Sequence, residues 1–494
     1  MYIISTIPLV ILALLLVPSL SALLIAIIKS RIVGEIVTIF SSTTLLILSV
    51  VILYHVIYEG TILCFGGEFG VDSLSAWLLI LISFISLMAS LYSIKYIRYE
   101  LIEKKITKKR ANMYYALFNI FFFTMVLLVT TNNIIIMWVA LEATTLASAY
   151  LIAIYHSKEA IEAGWKYVIL CSTGIAFGLY GIITLYYTAY RSGVYNPLLW
   201  TSLVTSSEMF RESPTLLRIS FVLILIGFGT KAGLAPLHTW LPDAYSEAPA
   251  PVSAVLSSVL EGCAIYAIMR FYRIAVGTGI LSFAQIVLII IGLVSMIISS
   301  LHMIVVDDIK RMFALSSVEH MGLIVCALGF GGSLGTLAAV FHVLNHALVK
   351  SALFLSTGNF VRAYGTRKIS EIKGILSSYP ILGVQLLIGV YAIIGGPPFG
   401  VFQSELLSVM AGVYYGSIVV LVIFIITLVT AFGALLVNSM NIIYGESEFR
   451  VKKYPASWNI PVMILLLISL LVGIYLPEPL RLCLDQASKI VGGS

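Results

Sequence analysis

Residues Ile219–Pro242 read ISFVLILIGFGTKAGLAPLHTWLP, and the only Asp, Glu, Lys or Arg in that stretch is Lys231. Such a run is long enough, at about 1.5 Å per helical residue, to cross a bilayer core of about 30 Å. An ammonium at that depth costs at least roughly 2.5–3.5 kcal/mol on insertion scales, so it is expected to pair with something and to mark an ion or proton pathway. Reading this stretch as a membrane helix decides the fold, and the rest of the chain agrees with it.

Hydrophobic residues make up 60% of the 494 and charged residues only 11%, with a mean hydropathy of +1.06. That composition leaves too little polar surface for a soluble protein. Apolar runs of spanning length begin near Ile4, Gly34, Ser73, Met113, Asn133, Ile161, Leu217, Val252, Ile280, Met312, Leu334, Pro380, Gly416 and Ile460. The expected fold is all-α, a polytopic membrane protein of about 14 transmembrane helices. The first run is too long, and too smoothly continued, to read as a cleaved signal peptide.

Basic residues alternate between loops. Those after odd-numbered spans hold Lys29 and Arg31, the group from Lys95 to Arg110, Lys158, Lys310 and Arg311, the group from Arg362 to Lys373, and Arg450, Lys452 and Lys453. The even loops hold Arg191, Arg211, Arg218, Arg270 and Arg273. Short loops retained inside carry the excess of Lys and Arg, so both termini are expected outside a cell inner (plasma) membrane. The net charge of +6 is mostly this signal and implies no nucleic-acid partner. No composition break divides residues 1–494, which read as one integral membrane domain with a short tail after about Leu476.

Two further segments repeat the opening pattern. Glu142 is the only Asp, Glu, Lys or Arg from Ala111 to Ser157, and Glu405 the only one from Gly374 to Gly445. The plain alternative is that each snorkels to water from a helix end. Helix breakers flank two of the three charges: Gly229, Gly233, Pro236 and Pro242 beside Lys231, and Gly395, Gly396, Pro397, Pro398 and Gly400 beside Glu405. Breaks at membrane depth are tolerated only where protein or a water-filled cavity satisfies the freed backbone groups, and broken helices in both halves of a chain point to an ion path.

In TLAAVFHVLNHALVKSALFL, His342, His346 and Lys350 recur at i, i+4 and i+8, which lines them along one helical face over about 12 Å. Imidazole accepts and donates protons near neutral pH, so this is a candidate relay. Packed core histidines or a bis-histidine haem site, with Glu319–His320 as the facing pair, are the alternatives. Glu261, roughly midway along its span, is a relay group or an acid paired to Lys231 or Lys350. His302 is a weaker candidate, and Asp307 and Asp308 are expected to be solvated or to cap a helix.

Five scattered cysteines suggest no disulfide framework and no zinc or iron–sulfur site. GFGTKAG and GFGGSLG lack the third glycine of a dinucleotide motif, and no Walker sequence occurs, so the energy for moving ions must come from a gradient or a partner.

Taken together, GTKAGLAPLHTWLPDAYSEAPAPVSAVLSS, VDSLSAWLLILISF, MWVALEATTLASAYLIA, ALSSVEHMG, HVLNHALVKSALFL and GGPPFGVFQSE resemble the antiporter-like subunits shared by respiratory complex I, Mrp-type cation/proton antiporters and membrane-bound hydrogenases. LEATTLASAYLIAIYH, AGWKYVILCSTGIAFGLYG and SSVEHMG are most similar to the hydrogenase-4 component F group of formate-hydrogenlyase-type complexes. The resemblance implies two inverted five-helix repeats, near 113–272 and 278–444, each with a broken helix, around a hydrophilic axis. It implies a proton- or sodium-translocating subunit with no redox centre of its own, in a hydrogenase or NADH dehydrogenase type of complex. Nickel–iron and iron–sulfur centres are then expected in partner subunits: other antiporter-like membrane subunits and a peripheral hydrogenase or redox module.

By the same resemblance Glu142 and Lys231 form a pair, Lys166 matches a sixth-helix lysine, His320 and His346 form the central relay and Glu405 is the terminal acid. The full proton-pathway set adds His238, Glu261, Glu319, His342 and Lys350. Many relatives carry an eighth-helix lysine where this chain reads Glu261-Gly262. The rival readings are a structural membrane anchor and a subunit of an Mrp-type sodium/proton antiporter.

Overall fold

A computed structural model describes residues 7–445 and 456–493. Ile4, Arg450, Lys452 and Lys453 of the sequence reading lie outside the described residues. The chain begins with α1 (Ile7–Ile28) and α2 (Arg31–Glu59), then a small antiparallel hairpin, β1 (Ile62–Cys64) and β2 (Phe69–Val71). α3 (Ser73–Ile102), α4 (Lys108–Thr130), α5 (Ile134–Ile152) and α6 (Lys158–Arg191) follow. After the short α7 (Trp200–Thr205) come α8 (Pro214–Lys231), α9 (Trp240–Glu247), and α10 (Ala250–Val255), which a π-turn over Leu256–Leu260 joins to α11 (Glu261–Gly277). The second half holds α12 (Leu281–Val305), α13 (Ile309–Phe330), α14 (Gly332–Tyr364), α15 (Ile375–Ser378), α16 (Pro380–Ile393), α17 (Gly400–Tyr415), α18 (Ile418–Ile443), α19 (Ile460–Ile474) and α20 (Glu478–Gly492).

Among the described residues, 13 helices are long and apolar enough to cross a membrane, with Ala250–Gly277 counted as one. The fourteenth crossing is the broken pair α16 and α17, so the spans expected from hydropathy are all present. Polar residues start the helices: Asp72, Thr107, Asn133, Ser157 and Asp308 each accept a backbone N–H in the first turn of α3, α4, α5, α6 and α13. Asp308 thus caps, as expected, while Asp307 holds the Ser370 amide at 2.8 Å across a loop.

Burial separates two kinds of helix. The Ala250–Gly277 span and α13 are wholly enclosed over their most apolar windows, whereas α18 is mostly exposed to the surroundings, as a lipid-facing helix should be. These two and the nearly enclosed α14 carry Glu261, Glu319, His320, His342, His346 and Lys350, so the polar line runs through the centre of the bundle. The segment after Leu476 is a helix rather than a tail. α20 buries Cys483, Leu484, Ala487 and Val491, and its Gln486 accepts a 2.6 Å hydrogen bond from Ser73 and donates to the Ile57 carbonyl at 3.3 Å.

Candidate functional site

Lys231 is the last residue of α8 and is 1% exposed. α6 and α8 approach closely because small residues face each other: a Cβ added at Gly227 would lie 2.6 Å from the Gly178 Cα. That approach brings Tyr167 of α6 to Lys231, whose Nζ donates to the Tyr167 hydroxyl at 2.7 Å and to Thr145 Oγ1 of α5 at 2.6 Å. The ammonium also lies 4.6 Å from the centre of the Tyr167 ring. Thr145 in turn donates to Glu142 Oε2 at 3.4 Å, and Ser172 donates to Glu142 Oε1 at 2.5 Å.

The expected Glu142–Lys231 pair is therefore a relayed one. Among the described residues no direct ion pair joins the two, because Thr145, one turn after Glu142, stands between them. Glu142 itself is half-buried on α5, one turn from the exposed Val139 and Leu146.

Past Lys231 the backbone turns at Gly233, whose φ is +77°, and the span resumes at α9. Protein groups satisfy the break: the Ala235 amide donates to Ser295 Oγ at 2.9 Å, and Trp240 Nε1 donates to the Thr230 carbonyl at 3.0 Å. His238 lies buried in this break, with its Nδ1 unpartnered by protein. The second break, between α16 and α17, is held by Asn345, which donates to the Gly400 carbonyl at 2.9 Å. Glu405, 8% exposed, lies against Gly395 at φ +72°; a Cβ added there would fall 2.0 Å from Glu405 Oε2.

Between the breaks the ionisable groups meet across α13 and α14. His320 Nδ1 is 2.9 Å from His342 Nε2, and His342 Nδ1 is 2.9 Å from Ser404 Oγ, the neighbour of Glu405. Glu319 Oε2 lies 3.6 Å from His320 Nε2, and Glu261 Oε2 lies 4.0 Å from His346 Nε2. Glu261 Oε1 accepts from Tyr245 at 2.7 Å, while Lys350 donates to the Phe313 carbonyl at 2.8 Å.

His320 of α13 stands beside the two histidines of α14. The His342 and His346 rings are 6.4 Å apart, and His320 of α13 lies 5.1 and 5.4 Å from them, so the three imidazoles zigzag between two helices. Glu261 pairs with neither lysine directly; Tyr245 and His346 are its near neighbours.

Three candidates lie off the line or at its edge. Lys166 is more than a third exposed and paired with Glu162 at 2.5 Å and Asp243 at 3.3 Å, in a surface cluster with Arg311. His302 is exposed on α12. Arg270, expected in a loop, is buried in α11, where it forks onto Asp72 at 2.5 and 2.6 Å and stacks on Trp200 at 4.3 Å.

The residues missed by sequence reasoning are mainly hydroxyls: Thr145, Tyr167, Ser172, Tyr245 and Ser404. The i, i+3 spacing of Thr145 from Glu142 is the one signal that could have found any of them. Two further buried charge sites were also missed. Arg362 pairs with Glu100 at 3.6 Å among the rings of Tyr96, Tyr99 and Trp458, and Lys310 donates to the Ser246 and Ala248 carbonyls at 3.0 and 2.6 Å.

Three cavities touch these groups. One of about 440 Å³ borders Asp72 and Arg270, one of about 430 Å³ borders Glu100, Lys310 and Arg362, and one of about 120 Å³ borders Glu319, His320 and Glu405.

Residues 131–431 match the sequence model of the family described as NADH:quinone oxidoreductase/Mrp antiporter, TM, and residues 65–102 that of the complex I chain 5 N-terminus. The chain is 37% identical to a hydrogenase-4 component F homolog of Methylacidiphilum infernorum over 83% of this chain and 86% of that one. It is 31% identical to one of the proteins of the Na(+)/H(+) antiporter of Alkalihalophilus pseudofirmus over 68% of this chain and 41% of the relative. Its fold matches a chain of the membrane-bound sulfane sulfur reductase, an archaeal respiratory membrane complex, with a TM-score of 0.85 at 24% identity, covering 98% of both chains. With the broken helices and the buried polar line in place, these matches make the chain a member of the NADH:quinone oxidoreductase/Mrp antiporter transmembrane family.

Proposed function

We propose that the chain translocates protons across the membrane as one subunit of a redox-driven complex of hydrogenase-4/formate-hydrogenlyase or complex I-like type. The observation that carries this reading is the succession of groups from the half-buried Glu142 through the buried Thr145, Lys231 and Tyr167, then Glu261, His346, His320, His342 and Ser404 to Glu405. Buried ionisable side chains inside a membrane domain are costly and are kept where they move charge. Imidazoles in contact pass a proton by accepting on one nitrogen and donating from the other. Lys231, held by two neutral hydroxyls, gains or loses its proton as the Glu142 carboxylate is brought nearer or withdrawn.

Two inverted repeats, near 113–272 and 278–444, fit this reading. The broken span is the fourth of five in each stretch, and an offset of five crossings reverses the direction of corresponding helices. The hydrogenase-4 relative supports a peripheral hydrogenase or redox module that holds nickel–iron and iron–sulfur centres. Glu142 reaches one flank of the bundle and the cavity beside Glu405 borders the lipid-facing α18, so a neighbouring antiporter-like subunit on either flank would extend the line. The alternation of basic loops supports a plasma-membrane orientation with both termini outside.

Replacing Lys231 by Ala is expected to abolish coupled proton uptake in vesicles carrying the assembled complex; preserved pumping overturns the reading. The antiporter relative favours a second reading, sodium/proton exchange without a redox partner. Co-purification followed by metal analysis separates the two, because iron, joined by nickel in the hydrogenase type, accompanies only the first.

A further inference from the structure

Between the Lys231 site and the histidines the polar line narrows to one residue. Tyr245 is on α9, the second piece of the broken span, and is fully buried. Its hydroxyl lies 2.7 Å from Glu261 Oε1 and 3.1 Å from the Leu256 carbonyl. A phenol has one hydrogen and here faces two acceptors.

Leu256 opens the π-turn that immediately precedes Glu261, and its carbonyl also takes the Glu261 amide, five residues on. A carbonyl oxygen has two lone pairs, so the second remains for Tyr245. Single π-turns inside α-helices are frequent at functional sites, and this one places an acceptor beside a buried acid.

We propose that Tyr245 is a positioning residue that holds the Glu261 carboxyl in both of its protonation states and links the Lys231 site to the histidine line. With Glu261 ionised, Tyr245 donates its hydrogen to Oε1. With a proton on Oε1, Glu261 donates to the phenol oxygen, and Tyr245 turns its own hydrogen to the Leu256 carbonyl. No proton passes through the tyrosine. A proton exchanged with His346, whose Nε2 is 4.0 Å from Oε2, sits first on Oε2 and comes to face the phenol when the carboxyl turns over and its two oxygens change places. Neither state leaves the phenol or the carboxyl oxygen that faces it unpaired, which lowers the desolvation penalty when the buried acid changes charge.

The link to Lys231 is a packed series. Tyr167, which accepts from Lys231, has its ring centre 4.8 Å from that of Trp240, and Trp240 meets the Tyr245 ring edge-on at 5.9 Å. Trp240 is also tied to the residue before Lys231 through the Thr230 carbonyl. A shift of Tyr167 when Lys231 changes partners therefore bears on Tyr245 through one ring. Glu261 with Tyr245 thereby joins the two halves of the chain through an acid and a phenol.

The test is infrared difference spectroscopy across pH on the purified assembly that contains this chain. The C=O band of protonated Glu261 is identified as the band lost in Glu261→Gln. Tyr245→Phe is expected to move that band to higher wavenumber, since the acid loses its hydrogen-bond partner. The same variant should slow translocation by about tenfold, the effect of one hydrogen bond to a charged group. That second readout rests on the transport reading above; the first does not.

An unmoved band, or no band that Glu261→Gln removes, overturns the proposal. A moved band in a complex that Lys231→Ala leaves fully active supports the positioning role and counts against transport instead. If Tyr245→Phe fails to assemble, Glu261→Asp draws the carboxyl back by one methylene from an unaltered Tyr245. It must displace the same band, and an unmoved one again overturns the proposal.

Discussion

Around Lys231 the charges end on hydroxyls: Thr145 and Tyr167 take the ammonium, and Ser172 and Thr145 take the Glu142 carboxylate. Around Glu405 and the histidines the pairing is incomplete, for Glu319 Oε1, Glu261 Oε2 and His346 Nε2 are buried without a protein hydrogen bond, and a cavity of about 120 Å³ adjoins Glu319, His320 and Glu405. Buried polar atoms left unpaired cost roughly 1–3 kcal/mol each. Small mobile donors and acceptors, water above all, would satisfy such atoms where a cavity reaches them, as it does at Glu319. On the proposed reading, Lys231 is a latch with fixed partners beside the first break, and the histidine line beside the second is a relay open to hydration.

The largest effect is expected at Lys231. Lys231→Ala removes the charge that the latch exists to hold, and translocation should fall by at least about a hundredfold, the lower range for losing a positioned proton-transfer group. Assembly, followed by the yield of intact complex, should survive, since Thr145 and Tyr167 keep other partners in Glu142 and Ser148. A loss of assembly with activity in proportion to the surviving complex would favour the anchor reading.

The relay half is tested by filling its cavity. Ala431 of α18 is buried and lines the space beside Glu319 and Glu405. A space of this size holds only a few waters at about 30 Å³ each. Ala431→Leu should slow translocation by about tenfold, as expected if one step passes through water. An unchanged rate would mean that the relay runs dry like the latch.

Lone charges were the legible part of this site. Glu142, Lys231 and Glu405 stand out because a single charge in an apolar run carries its cost on its face. The spans were legible for the same reason, even the one broken between α16 and α17, whose flanking apolar runs survive the break. Arg270 was not, because an arginine near a span end reads as a loop residue and its partner Asp72 is 198 positions away.

Lys166 and Tyr167 show how fine the limit is. One residue turns a helix by about 100°. The lysine consequently joins Asp243 at the surface while the tyrosine meets Lys231. A resemblance transferred position by position finds the charge; only packing finds the hydroxyl that receives it. The histidines fall between these cases. Their i, i+4 spacing was visible, but His320 reaches into the line from a different helix.

Thr145→Val tests how the latch communicates. Valine has nearly the shape of threonine but cannot bridge Lys231 to Glu142, so the two charges remain and their connection is lost. One hydrogen bond to a charged group is worth about 1.5–3 kcal/mol, and translocation should fall by about tenfold. Thr145→Ser keeps the hydroxyl and should restore most of it. Equal rates for valine and serine would show that the charges act directly through space.

Ser172→Ala should have the smallest effect and sharpens the comparison most. Ser172 holds Glu142 Oε1 at 2.5 Å, but Glu142 is half-buried and Ser172 is only partly enclosed. Outside solvent or a neighbouring protein can therefore supply a replacement donor, whereas the enclosed Glu319 and Glu261 have no such flank. The expected loss in translocation is at most about threefold, below the value of a typical buried hydrogen bond. A loss as large as that of Thr145→Val would place Glu142 in a sealed environment, with a neighbouring protein covering α5 and both halves of the line enclosed alike.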